Sequence, residues 1–207
     1  MATHADTDHI QGLADAARNF AVRAAIFGRM PLKNTESAEL QTVLQTRDIE
    51  LIVIARGDVL TFGDVTIETL HPLRDESPEA VSDNNQSLVL RITYGDRKIL
   101  LTGDIEREAE SELLDAPEFL LTDVIKVAHH GSRTSSTQAF VHASKAKVAV
   151  IPVGRESPYG HPHAEVVARW KQSGAKVLTT GENGTISVST DGRDLQLKTF
   201  RKEKIYR

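Results

Sequence analysis

The chain has 207 residues, 40% of them hydrophobic, enough to bury a core as one domain spanning residues 1–207. With no cysteine it holds neither a disulfide nor a thiolate-bound metal, so any cation must be held by nitrogen and oxygen. A formal charge of −4 gives no general attraction to nucleic acid, and no apolar run reaches the roughly 20 residues that span a bilayer. Without an apolar leader, a cytoplasmic location is expected.

The first seven residues of interest are Thr3-His4-Ala5-Asp6-Thr7-Asp8-His9, an H-x-D-x-D-H string. Two imidazoles and two carboxylates that close together carry more cation-binding capacity than a solvated loop requires. On extended backbone alternate positions point the same way, so His4, Asp6 and Asp8 are expected to converge, with His9 following as a helix begins. Ile10, Leu13, Ala14, Ala17 and Phe20 recur at helical spacing, and Asp8 suits that helix's N-terminus. A second helix is predicted over 35–47. Strands follow over 49–55, 59–62 and 65–70, separated by turns at Gly57-Asp58 and Gly63-Asp64.

Residues 71–86 are polar and read as a loop, in which His71 is taken as solvated. Over 87–94, Leu88, Leu90, Ile92 and Tyr94 alternate, and Gly95-Asp96 turns this strand into another over 98–102. The rhythm then changes. Helices over 105–114, 136–143 and 164–174 alternate with strands over 124–128 and 148–153, and strands over 177–180, 185–189 and 195–200 close the chain. Hairpins first and βα units later predict an α/β fold of two sheets with helices packed outside. The basic residues Lys198, Arg201, Lys202, Lys204 and Arg207 read as a solvated, frayed end.

Three further loops, each leaving a predicted strand, carry metal or phosphate chemistry. Thr102-Gly103-Asp104 offers a carboxylate that serves either as a ligand or as a helix cap. His129-His130-Gly131-Ser132 offers imidazoles, with Thr134, Ser135 and Ser136 at the next helix start, where an anion is favoured. Tyr159-Gly160-His161-Pro162-His163 offers another imidazole. His142 reads as a solvated helix residue, and His163 as a supporting or surface group.

Taken together, the H-x-D-x-D-H, T-G-D, H-H-G-S and Y-G-H-P strings resemble those of the metallo-β-lactamase-fold hydrolases. With the segment Asp83-Asn84-Asn85-Gln86-Ser87-Leu88-Val89-Leu90, they look most like the soluble hydrolase domain of ComEC-type competence proteins. The resemblance runs from His4 to about Val188. It implies an αββα four-layer sandwich with a dinuclear site at the open edge between the sheets. Relative to that family the chain is expected to lack the first strands, which leaves a sheet edge free for a homo-dimer.

Carried over, the resemblance implies that His4 and Asp6 bind one cation, that Asp8, His9 and His161 bind the other, and that Asp104 bridges them. His130, rather than His129 or Asp83, is expected to complete the first site. Asp8 and Asp104 are the expected catalytic groups, and Ser132, Thr134 and Ser135 the expected substrate contacts. The cofactors would be two divalent ions, Zn²⁺ or Mn²⁺; Asp6 stands where the wider superfamily has histidine, a hard ligand that shifts preference from Zn²⁺ toward Mn²⁺ or Mg²⁺ without excluding zinc. The implied reaction is phosphodiester hydrolysis of DNA, with single-stranded DNA or another phosphodiester as the partner, by cations about 3.5–4 Å apart that share a hydroxide. The alternatives are a hydrolase of a small ester, thioester or lactone, or a degenerate metal-binding or docking domain.

Overall fold

The computed structural model describes residues 1–29, 35–74 and 82–201. In chain order the first elements are α1 (Thr7–Asn19), β1 (Ala24–Phe27), α2 (Thr35–Thr46), β2 (Glu50–Val53), β3 (Val59–Phe62) and β4 (Val65–His71). β5 (Val89–Tyr94), β6 (Arg97–Leu101), α3 (Arg107–Leu113), β7 (Val124–Lys126) and α4 (Gln138–Ser144) follow. The chain continues through β8 (Val148–Ile151), α5 (Ala164–Gln172), β9 (Lys176–Thr179), α6 (Thr180–Asn183), β10 (Ile186–Thr190) and β11 (Leu195–Thr199).

β3 to β9 form one sheet in sequence order. β3 to β6 pair antiparallel, whereas β6 to β9 pair parallel, because α3, α4 and α5 each return the chain to the same end before the next strand. Alternation then sorts the side chains. Val89, Leu100, Ile125 and Ala149 face Leu113, Phe140, Val166 and Trp170 of the three helices.

The opposite face is covered by two small sheets. Parallel β1 and β2 bring Ile26 and Ile52 against Leu60, Ile67 and Leu90. The β10–β11 hairpin brings Val188 and Leu197 against Ile99, Val124 and Val148. On the far side of β1, Phe27 packs with Ile10, Ala14, Leu40 and Leu44 of α1 and α2. Helix, sheet, sheet and helix are therefore stacked in the expected αββα order.

Local differences from the sequence reading have simple causes. β1 is only four residues long, too short for its alternation to register against the flanking polar residues. α1 starts at Thr7, so the opening motif is a bend entering a helix rather than an extended strand. The role of a presenting strand is filled by two backbone contacts: Ala2 N–H donates to Ile26 O and Leu88 N–H donates to Thr3 O, both at 2.9 Å. Ala2 and Phe27 form an isolated parallel bridge, so His4 is fixed between the two sheets.

His71 is buried, not solvated; its Nδ1 lies 3.0 Å from Ser87 O and its Nε2 3.5 Å from Glu112 Oε2. Of the expected 71–86 loop, residues 75–81 lie outside the described residues, and Asn84–Gln86 form a single 3-10 turn. Of the basic end, Lys198 lies in β11 and residues 202–207 lie outside the described residues. His142 is exposed on α4, as read.

Trp170 is the largest fully buried side chain, and its indole N–H donates to Ser136 Oγ at 3.1 Å, tying α5 to the loop before α4. Trp170→Ala is expected to lower unfolding stability by about 3–5 kcal/mol, the usual cost of emptying an aromatic core position. Urea denaturation measures this, and a loss below about 1 kcal/mol would contradict the packing.

Candidate metal centre

The opening motif, the loop after β6 and the loop after β7 meet at one end of the two sheets. His4, His9 and Asp104 offer ligand atoms all within 4.8 Å of one another, and Asp8, His9 and His130 do the same. The two groups share His9. Asp104 Oδ2 lies 3.2 Å from both His9 Nε2 and His130 Nε2, so this one oxygen touches both groups.

The ligand nitrogens are aimed by their other ring nitrogens. Thr3 Oγ1 lies 3.0 Å from His4 Nδ1 and 3.2 Å from His9 Nδ1, and Ser87 Oγ lies 3.1 Å from His4 Nδ1. A hydroxyl oxygen accepts two hydrogen bonds, so Thr3 satisfies both rings when each carries its proton on Nδ1. Both Nε2 lone pairs then face inward. Both atoms are buried, that of His4 without a hydrogen-bond partner and that of His9 facing Asp104 Oδ2. Ser87 Oγ also accepts the Asp104 N–H at 2.9 Å, so one side chain positions ligands from two loops.

His130 Nδ1 donates to Pro152 O at 2.7 Å, which leaves Nε2 facing Asp8 Oδ2 and Asp104 Oδ2, each 3.2 Å away. A ring lone pair opposed to two carboxylates is repulsive unless positive charge stands among them. The Asp104 carboxylate raises the His130 pKa above its ordinary value, against the opposing effect of burial. His4 goes the other way: burial, then the neighbouring His9, pushes it down to about 4, so it stays neutral and free to ligate. Burial disfavours the charged form of Asp104, yet His130, His9 and Lys126 outweigh it and hold the carboxyl well below the usual range. Orphaned imidazole nitrogens around an ionised carboxylate are the donor set that a divalent cation fits, and no sulfur is needed.

Asp8 is exposed and Asp6 half-buried, while His4 is turned inward. Asp6 Oδ2 reaches His4 Nε2 at 3.6 Å and joins neither group of three. Its pKa is raised by burial first, then by Asp83 and Asp8, which places Asp83 among the acidic groups around it. His130 sits with Asp8 and His9, not with His4 and Asp6. The helical start at Thr7 explains this: on a helix the motif's residues no longer share one direction.

His161 enters neither group. Its ring lies 5.7 Å from that of His129, 5.0 Å from His163 and 5.9 Å from Tyr159, and its pKa is lowered by burial and then by His129 and His163. His129 turns toward Glu106 and Thr134.

The expected substrate contacts divide. Ser132 Oγ lies 3.0 Å from Thr134 Oγ1 beside His129. Ser135 is buried, and its hydroxyl donates to Ile105 O at 2.7 Å, so it is not available to a ligand. The start of α4 is also occupied: the Glu110 carboxylate accepts the Ser136 and Thr137 N–H groups, and Thr137 Oγ1 caps Phe140 N. The anion at that helix start is the protein's own. Asp104 is not a helix cap; that position before α3 is Glu106.

Lys126 escaped the sequence reading. Its Nζ lies 3.0 Å from Asp104 Oδ1 and 2.6 Å from Gly103 O, held there by the pairing of Leu101 with Lys126. The one available signal was a lysine inside the apolar run Val124-Ile125-Lys126-Val127-Ala128. Thr3 and Ser87 gave no signal beyond adjacency to the motifs.

A family model described as the metallo-beta-lactamase superfamily matches residues 1–155. The chain belongs to that superfamily, which is one of metal-dependent hydrolases. Among curated relatives of this superfamily member, ComE operon protein 3 of Bacillus subtilis is 33% identical over 184 residues, covering 89% of this chain and 23% of that protein. Competence protein ComA of Neisseria gonorrhoeae is 31% identical over 135 residues, 65% of this chain and 20% of the relative. The chain thus spans about a quarter or less of the length of these relatives.

Two solved structures share the fold. CmlA, a diiron beta-hydroxylase from Streptomyces venezuelae, is 11% identical with a TM-score of 0.54, over 84% of this chain and 42% of that one. Zn²⁺-bound PqqB from Methylobacterium extorquens is 11% identical with a TM-score of 0.50, over 86% and 69% respectively. Among the described residues, no helix is long and apolar enough to cross a membrane.

Because Ser87 supports both His4 and Asp104, Ser87→Ala is expected to weaken divalent-cation binding by about ten- to a hundredfold. Calorimetric titration with Mn²⁺ or Zn²⁺ measures it. Affinity equal to the parent chain's would remove Ser87 from the site.

Proposed function

We propose that this chain is a two-cation phosphodiesterase whose substrate is single-stranded DNA. The observation that carries the reading is the pair of overlapping ligand groups joined at His9 and at Asp104 Oδ2. One cation would be held by His4, His9 and Asp104 with Asp6 at its edge, the other by Asp8, His130 and Asp104 with His9 between them. A zinc-bound and a diiron protein among the structural neighbours agree with such loading, and the names of the competence relatives support a DNA substrate.

Bound divalent cations would supply Lewis acidity to the phosphoryl oxygens and lower the pKa of a water between them. The protein's own share is geometric and electrostatic. Asp104 turns one oxygen to the ligand cluster while Lys126 occupies the other, which limits it to single-oxygen contact. Thr3 and Ser87 keep the Nε2 atoms of His4 and His9 unprotonated and aimed. Asp8, the most exposed of the ligands, faces the open side, where it can accept a proton from an attacking water.

Asp104→Asn keeps the shape but removes the charge at the junction of the two groups. Mn²⁺-dependent cleavage of a labelled single-stranded oligonucleotide is expected to fall to background, with an unchanged circular dichroism spectrum and loss of bound metal after dialysis. Wild-type cleavage by the folded variant would falsify the assignment. A parent chain that hydrolyses a thioester or lactone panel but no phosphodiester would move the substrate to the small-ester class.

A further inference from the structure

Tyr159 is the odd side chain at the mouth of this centre. It is 78% exposed, in a loop that also holds His161. Exposure of a whole aromatic ring is not forced by its backbone. Gly160 N–H donates to Ser157 O at 3.0 Å, closing the turn Ser157-Pro158-Tyr159-Gly160, and Gly160 has φ +70°. Proline at the second turn position fixes the approach, and glycine allows the left-handed exit. The turn presents the ring on a stiff mount rather than a loose one.

One side of the ring meets His161, at 5.9 Å between centroids and a 32° tilt. From there the rings continue inward: His161 to His129 at 5.7 Å, His129 to His130 at 6.5 Å, and His130 to His9 at 5.5 Å. A row of flat side chains thus leads from solvent to the ligand cluster. An arginine stands in each of the loops that carry these rings, Arg155 in that of Tyr159 and Arg133 in that of His130. Arg155 lies in the same loop, its Nε 3.4 Å from Gly181 O, and Arg133 follows His130, its Nε 3.8 Å from Glu165 Oε1 in the first turn of α5. The Arg133–Glu165 pair is exposed and long, so it holds the guanidinium weakly.

We infer that Tyr159, backed by His161, is a base-stacking platform that takes the nucleobase of a nucleotide close to the scissile phosphate, with Arg133 and Arg155 meeting its backbone. The inference rests on the phosphodiesterase reading and adds a substrate feature to it. An unpaired base offers its π-face to an aromatic ring, which a base locked in a duplex cannot, so the platform selects single strands irrespective of sequence. It also suits a chain of negative net charge, because stacking attracts a strand that the surface as a whole does not.

The test compares Mn²⁺-loaded protein on a single-stranded oligothymidylate and on an abasic oligonucleotide of equal length. The parent chain is expected to show a KM about ten- to a hundredfold lower on the base-bearing strand, the worth of one aromatic stack. In Tyr159→Ala that difference collapses toward one, whereas Tyr159→Phe keeps it. Phe200→Ala, which removes another exposed ring outside the site, retains the parental ratio. If the parent cleaves both strands with equal KM, or Tyr159→Ala keeps the parental preference, the platform is wrong while the nuclease reading stands. If the parent cleaves neither strand, both fall.

Discussion

A carboxylate buried to 4% exposure sits where three loops meet, and every neighbour of that carboxylate is arranged around its charge. An isolated buried anion costs several kcal/mol, so Asp104 is tolerable only with positive charge or strong donors close by. Lys126 provides one such charge at Oδ1, and at Oδ2 stands His130, whose pKa this carboxylate raises, beside His9. The lysine reaches this position because β6 and β7 pair in a register that sets Lys126 beside Leu101. A slip of one residue would put Ile125 or Val127 there and send the ammonium to the opposite face of the sheet. The electrostatics of the centre is thus written into a strand register.

The loop after β7 shows a different form of support. His129 and His130 both adopt positive φ, +48° and +53°, a conformation that costs L-residues about 1–3 kcal/mol each. Gly131 follows at +82°, and a Cβ there would approach Pro162 Cβ to 2.7 Å. The surroundings hold the strained pair: His130 Nδ1 donates to Pro152 O, Ser132 N–H to His129 O, and His163 N–H to Gly131 O. Loops after β7 and β8 therefore brace each other. The result is that His130 Nε2 points at Asp8 and Asp104, a direction that ordinary strand or helix backbone at this point would not give.

Much of this was legible in the residues because the chemistry is concentrated in short strings. The alternation along β3 to β6 and the βα rhythm after them are periodic signals that survive without tertiary information, and they predict two sheets with helices outside, while the four-layer order is implied by the family resemblance. His4, Asp8, His9, Asp104 and His130 were named from motifs, and the structure brings all five together. Their division between two groups was not legible. It depends on whether Asp8 and His9 stand on a strand or a helix, and the helix begins inside the motif. Thr3, Ser87 and Lys126 were hidden because a hydroxyl or a lone lysine carries no spacing signature; each matters only through partners distant in the chain. His71 was misread for the same reason, since a polar segment gives no hint that Ser87 and Glu112 fold over it.

The fate of the α4 start bears on how a phosphate would be held. Helix N-termini attract anions, and the Ser-rich stretch before α4 looked suited to that role. The Glu110 carboxylate fills it instead, accepting Ser136 and Thr137 N–H, with Arg169 close by. A backbone phosphate would compete there with a buried side-chain anion and lose, because Glu110 is already desolvated and tethered. Burial still raises the Glu110 pKa, against the pull of the Thr137 and Ser136 donors and of Arg169. Under the proposed function, positive potential for a phosphodiester would come from bound cations and from Arg133 and Arg155. That would concentrate attraction at the mouth of the centre, in a molecule whose net charge is negative.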